Sequence, residues 1–249
     1  MLFPEEKRRL FESIVVPSAF VAAIWTIKVC ETLFGVDLAR FGIEPLAFRG
    51  LRGILFSPLL HGNLSHLLAN TLPLLVLGSS LFYFYKQIAL KISVILMLST
   101  GLLTWCIARD GVHIGASSVI YGLAFFLIIS GFIRKDIKLM AISFLVIFLY
   151  GGLVWGLYPK YAVDHNISWE GHLSGFVMGI TLAVYYRKEG PQKEIHQWDD
   201  DEEQTDYQDE NGEKPYWDIP EPDKDDLTEV WHGHSGRNRF FKKKLEDRS

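Results

Sequence analysis

A serine, three histidines and an asparagine stand at the starts of three separate apolar segments, and together they are the groups that acyl transfer needs. His61, His66 and Asn70 open one segment, Ser117 between Gly115 and Tyr121 opens a second, and His172 ahead of Gly175 and Gly179 opens a third. A serine hydroxyl is a weak nucleophile until a neighbouring base takes its proton, and histidine is the usual base near neutral pH. An asparagine amide and a further imidazole supply hydrogen-bond donors suited to holding an oxyanion. Ionisable groups are costly inside a bilayer, so at that depth they point to function before packing.

The elements that must position these residues are spanning helices. Residues 12 to about 187 are largely apolar, whereas residues 188–249 are mostly charged and polar. A spanning helix needs about 20 mainly apolar residues. Six such runs occur, near 13–34, 64–85, 88–108, 115–133, 138–158 and 169–187. Runs such as 139–150 show no alternation of period two and fit lipid-facing helices better than barrel strands, so an all-α polytopic bundle is expected. The expected domains are a short cytoplasmic segment at 1–12, a membrane domain at 13–187 and an acidic, disordered cytoplasmic tail at 188–249.

Lysine and arginine set the expected orientation. Lys7, Arg8 and Arg9 precede the first span, Lys86 and Lys91 flank the second turn-around, Arg134, Lys135 and Lys138 the fourth, and Arg187, Lys188 and Lys193 follow the sixth. With six spans these fall on one side, so both termini are expected in the cytoplasm. Helices two, four and six then run inward, and all three polar clusters lie level in the outer leaflet. Their helix starts carry unpaired backbone N–H groups and partial positive charge, which favour a developing anion. Gly171, Gly175 and Gly179 leave a stripe without side chains on helix six, which lets helix four come close and brings Ser117 toward His172. Tyr121, one turn below Ser117, is placed to pack against the His172 ring.

Other features read more plainly. Lys28 and Glu31 share a helix face and are expected to pair at the outer end of the first span. That span lacks a small-residue cleavage pattern and reads as retained rather than as a signal peptide. Cys30 and Cys106 form no disulfide framework. Asp164, His165 and His172, or His232 and His234, lack a closed ligand set, so no metal is expected. Sixteen of the 29 acidic residues lie between Glu194 and Glu229, too charged a stretch to fold alone. The basic, aromatic stretch 237–244 is suited to anionic lipid headgroups.

With these motifs in place, the chain resembles the rhomboid intramembrane serine proteases over residues 12–187. His61, His66 and Asn70 match the His-x4-His-x3-Asn of that family's second helix. Gly115-Ala116-Ser117 with Tyr121 matches the start of the fourth, and Gly171-His172 with Gly175 and Gly179 the sixth. The resemblance implies a Ser117–His172 dyad without an acidic third member. It assigns the oxyanion hole to His66, Asn70 and the Ser117 backbone N–H, and a supporting role to His61. It implies no cofactor, and substrates that are membrane proteins, typically single-pass, cut in or near their transmembrane segment. No nucleic-acid partner is expected, and the six-span pattern points to a bacterial plasma membrane. Two departures stand out. Ser118 replaces the family's glycine after the nucleophile, and Arg49-Gly-Leu-Arg52-Gly53 stands where many members carry Trp-Arg. A catalytically silent relative that binds transmembrane segments is the rival reading. A transporter is disfavoured, since it would place polar groups at the midplane within a repeat.

Overall fold

A computed structural model describes residues 4–135, 137–149, 156–160 and 167–191. Every regular element among them is helical, and one isolated antiparallel bridge joins Ile43 to His113. The chain divides into two units, Met1–Glu194 and Ile195–Ser249, and all described residues belong to the first. The acidic tail from residue 192 onward, with Asp164, His165, His232 and His234, lies outside the described residues.

A helix lies in each of the six predicted spans: α1 (Pro4–Phe34), α2 (Leu64–Phe84), α3 (Ala89–Ile107), α4 (Ser117–Arg134), α5 (Ile137–Leu149) and α6 (Trp169–Tyr185). The fifth is expected to reach 158, but residues 156–158 form a turn rather than helix. The first four are long and apolar enough to cross a bilayer. The protein is therefore an all-α polytopic membrane protein. Helix α1 begins nine residues before the predicted 13, because Pro4 stands at its first position and Glu5 and Glu6 in its first turn. Proline is preorganised there, and acids complement the positive helix end. The charged start that marks a membrane flank is thus itself helical.

Helix α4 is the centre of the bundle, with 67% of its spanning window buried against 22–44% for α1, α2 and α3. Its inner residues Leu123, Phe126 and Leu127 meet Leu77 and Leu81 of α2, Ile92 and Leu96 of α3 and Leu182 and Ala183 of α6 in one core cluster. Lipid is as apolar as leucine, so exclusion from the solvent does not hold such helices together; close packing and hydrogen bonds do. Gly175 and Gly179 provide that closeness. A Cβ on Gly175 would lie 2.2 Å from the Ser118 carbonyl oxygen, and one on Gly179 would lie 2.5 Å from that of Gly122. Backbone meets backbone along the α4–α6 seam.

The connection between α1 and α2 is folded rather than loose. It contains the 3-10 turns Ala39–Phe41, Phe48–Arg52 and Ser57–Leu59 and the single α-turn Gly53–Phe56. The Arg49 guanidinium pairs with Glu44, and Arg52 donates to the Arg40 carbonyl at 2.8 Å. Arg49 holds the half-buried Glu44 carboxyl below the usual carboxylate range through that hydrogen bond. The loop has no tryptophan of its own, but Trp105 from α3 donates to the Ala47 carbonyl at 2.9 Å and anchors it.

Candidate active site

The first cluster takes its shape from a helix cap. Asn63 is extended (φ −148°), and its side-chain oxygen accepts from the His66 N–H at 2.8 Å, so α2 starts at Leu64. Such a cap contributes about 1 kcal/mol. It sets His66 and Asn70 on one face, four residues apart. Asn70 Nδ2 lies 3.0 Å from His61 Nε2, and the His61 and His66 rings meet edge to face at 5.1 Å. Burial, with His66 nearby, pushes the His61 imidazole down to about 4, so it is neutral at pH 7. With the Asn70 amide donating, His61 accepts at Nε2 and leaves the second amide hydrogen of Asn70 free for another acceptor. Lys28 supports the same stretch from α1: it pairs with Glu31 at 2.7 Å, as expected, and also donates to the His61 carbonyl at 2.9 Å.

The second cluster is delivered by a glycine that no other residue replaces easily. Gly115 has φ +113°, in the left-handed region, and a Cβ there would lie 2.6 Å from His66 Cε1 and 3.8 Å from Asn70 Nδ2. The turn that leads into Ser117 therefore rests directly on the His66 ring and close to the Asn70 amide. The Gly115 N–H donates to the Ser57 carbonyl at 2.8 Å, which fixes that turn on the first connection.

The third cluster is built around His172. The His172 ring is buried and stacks on Tyr121 with centroids 4.1 Å apart and planes 11° from parallel. Its Nδ1 lies 2.9 Å from the Gly156 carbonyl oxygen. A carbonyl only accepts, so Nδ1 carries the hydrogen and Nε2 presents its lone pair. That tautomer is the one a general base needs. Ser117 stands one turn above Tyr121 on the same face of α4. The neighbours of the pair also meet: a Cβ on Gly171 would lie 3.8 Å from Ser118 Cβ. Among the described residues no hydrogen bond joins Ser117 Oγ to His172; the two are related through Tyr121 and this contact. Catalytic hydrogen bonds often tighten only when substrate binds.

Ser117, Ser118, Gly115, Thr104, His113, Ser168 and Gly171 surround a cavity of about 20 Å³. That is room for one water among hydroxyl and imidazole partners. His61, His66 and Asn70 thus lie beside Gly115, and Ser117, Tyr121 and His172 lie along the α4–α6 seam. The sequence reading missed Gly156, His113, Ser168, Arg109 and Glu170. Glu170 is buried and takes the Arg109 guanidinium at 2.9 and 3.0 Å. A Glu in the first turn of an apolar helix, preceded by a serine cap, is the one local signal that pointed there.

A family model described as Rhomboid domain matches residues 49–189. An uncharacterised protein of Mycobacterium bovis is 40% identical over 171 residues, which cover 66% of this chain and 71% of that protein. One from Mycobacterium tuberculosis matches to the same extent. One from Mycobacterium leprae is 34% identical over 171 residues, covering 66% and 67%. The chain belongs to the rhomboid family.

Proposed function

We propose that this protein is an intramembrane serine endopeptidase that hydrolyses peptide bonds in or near the transmembrane segments of single-pass membrane proteins. The observation that carries the reading is the fixed His172 tautomer, with Nδ1–H held by the Gly156 carbonyl and the ring clamped on Tyr121. An imidazole held in this way offers its Nε2 lone pair as a base.

Ser117 Oγ attacks the scissile carbonyl while His172 Nε2 takes its proton. The oxygen of the tetrahedral intermediate gains negative charge beside the Ser117 N–H, the His66 ring and the free amide hydrogen of Asn70. The imidazolium then gives its proton to the departing amine, and the C–N bond breaks to leave an acyl ester on Ser117. Water, deprotonated by His172, attacks that ester and releases the acid and the free serine. The Gly156 carbonyl stabilises the imidazolium in the place where other serine hydrolases use a carboxylate. No cofactor enters this sequence. In the cell, the site opens to the outer face of the plasma membrane, and residues 188–249 form a cytoplasmic tail.

The test is cleavage of a panel of single-pass reporters by purified protein in liposomes, with fluorophosphonate labelling in parallel. Wild type cuts and labels, whereas Ser117→Ala and His172→Ala lose at least about 10³-fold in kcat, the scale of losing one member of a catalytic unit. Equal labelling of all three removes the assigned dyad. A folded wild type that binds reporters without cutting or labelling makes the protein a silent scaffold.

A further inference from the structure

His113 touches no reacting atom in the sequence of steps above, yet its ring joins two connections on either side of the site. The ring is buried, at 8% exposure. Nε2 lies 2.9 Å from the Arg109 carbonyl oxygen, which only accepts, so Nε2 carries the hydrogen. Nδ1 lies 2.7 Å from Ser168 Oγ, and in that tautomer it accepts from the hydroxyl. Ser168 Oγ accepts in turn from the Gly171 N–H at 3.2 Å, as the cap of α6. Every donor and acceptor in this chain is used once, from the end of α3 to the first turn of α6.

The backbone of His113 is held as firmly as the ring. It exchanges two hydrogen bonds with Ile43, at 2.8 and 2.9 Å, so the residue has no freedom to follow a moving partner. Its register matters for the chemistry. His113 stands four residues before Ser117, and Ser168 stands four residues before His172. The imidazole–hydroxyl bond therefore ties together the lead-in to the nucleophile and the lead-in to the base. Arg109 and Glu170 form a separate tie across the same gap, with Arg109 Nη2 also on the Ile167 carbonyl at 3.0 Å. Loss of the His113 bond thus leaves α6 attached but less exactly set.

We propose that His113 is a positioning residue: through its Nδ1–Ser168 bond it sets the approach of Ser117 to His172. The inference rests on the serine-protease reading above. Proton transfer needs the two groups near hydrogen-bond distance, and a displacement of about 1 Å at a catalytic group costs about 100-fold in rate.

Two near-isosteric variants separate positioning from bulk. His113→Asn puts a side-chain oxygen where Nδ1 was and keeps the bond from Ser168. His113→Gln puts an amide nitrogen where Nε2 was, keeping the Arg109 bond but offering Ser168 no acceptor. With full-length protein in liposomes, His113→Ala and His113→Gln are expected to lose about 30- to 100-fold in kcat, with KM within about twofold and the melting temperature close to wild type. His113→Asn recovers most of the rate, and Ser168→Ala adds nothing further on the His113→Ala background. The proposal is overturned if Asn is no better than Gln, if the loss appears in KM, or if the rates simply follow the melting temperatures. Wild type that cuts reporters beside an equally fast His113→Ala removes the latch alone. Wild type that neither cuts nor labels removes the protease reading and the latch with it.

Discussion

The proposed base, His172, is oriented by main chain, and that makes one glycine as consequential as the histidine. Gly156 has no room for a side chain: a Cβ would lie 2.4 Å from Tyr121 Oη and 2.7 Å from His172 Nδ1. Substituting alanine must therefore part the ring stack or push the carbonyl away from Nδ1. Either change frees the imidazole to adopt the other tautomer, in which Nε2 carries the hydrogen and accepts nothing. Gly156→Ala is expected to lower kcat about 10- to 100-fold with KM nearly unchanged, read with reporter cleavage and the rate of fluorophosphonate labelling. Full activity in that variant would show that the carbonyl does not orient the base. Ser118, by contrast, stands where the family carries glycine and faces Gly171 across the seam, which has no side chain of its own.

At the level of elements, the α4–α6 seam decides whether two distant parts of the chain share a site. Its legibility in the sequence came from periodicity: Gly171, Gly175 and Gly179 recur at the spacing of one helix face, and hydrophobic runs mark all six helices. His66 and Asn70, or Ser117 and Tyr121, were equally legible, since residues four apart in a helix must share a face. Gly156, His113 and Ser168 were not. They lie in connections without a repeat, and their partners are 16 to 55 residues away in the chain. No local rule links a carbonyl or a loop imidazole to a partner at that distance. The seam itself gives a graded expectation. Gly179→Ala drives a methyl to 2.5 Å from the Gly122 carbonyl and 3.0 Å from the Phe126 nitrogen, atoms of a helix backbone that cannot step aside. It is expected to cost about 1–3 kcal/mol of stability, the range for overpacking. Gly171→Ala meets the Ser168 hydroxyl at 3.1 Å and otherwise only ordinary contacts at 3.8 Å, and should cost less. Unfolding midpoints in mixed detergent order the two; a reversed order would mean that α4 and α6 do not meet along this stripe.

The molecule as a whole has two chemically different ends. At one, His61, His66, Asn70, Ser117 and His172 gather with Lys28. At the other, basic residues lace the helix ends together. Arg9 donates to the Tyr83 carbonyl at 3.0 Å, Lys86 pairs with Glu12 at 2.6 Å, and Arg134 donates to the Tyr186 carbonyl at 2.7 Å. These contacts put the start of α1, the α2–α3 turn and the ends of α4 and α6 in one layer, opposite the polar site. A bilayer crossed by this bundle must therefore have the site near one face and the basic layer at the other, and positive residues favour the cytoplasm. Cysteine labelling tests that orientation. Cys30 and Cys106 are free and exposed and are first replaced by serine. Asp110→Cys, exposed in the α3–α4 connection beside the site, is expected to react with an impermeant maleimide on intact cells. Lys188→Cys, exposed just beyond α6, is expected to react only after the membrane is opened. The reverse pattern would turn the serine and its histidine toward the cytoplasm. The charge argument would then fail while the geometry of the site stood, and any substrate would have to be cut from the inner face.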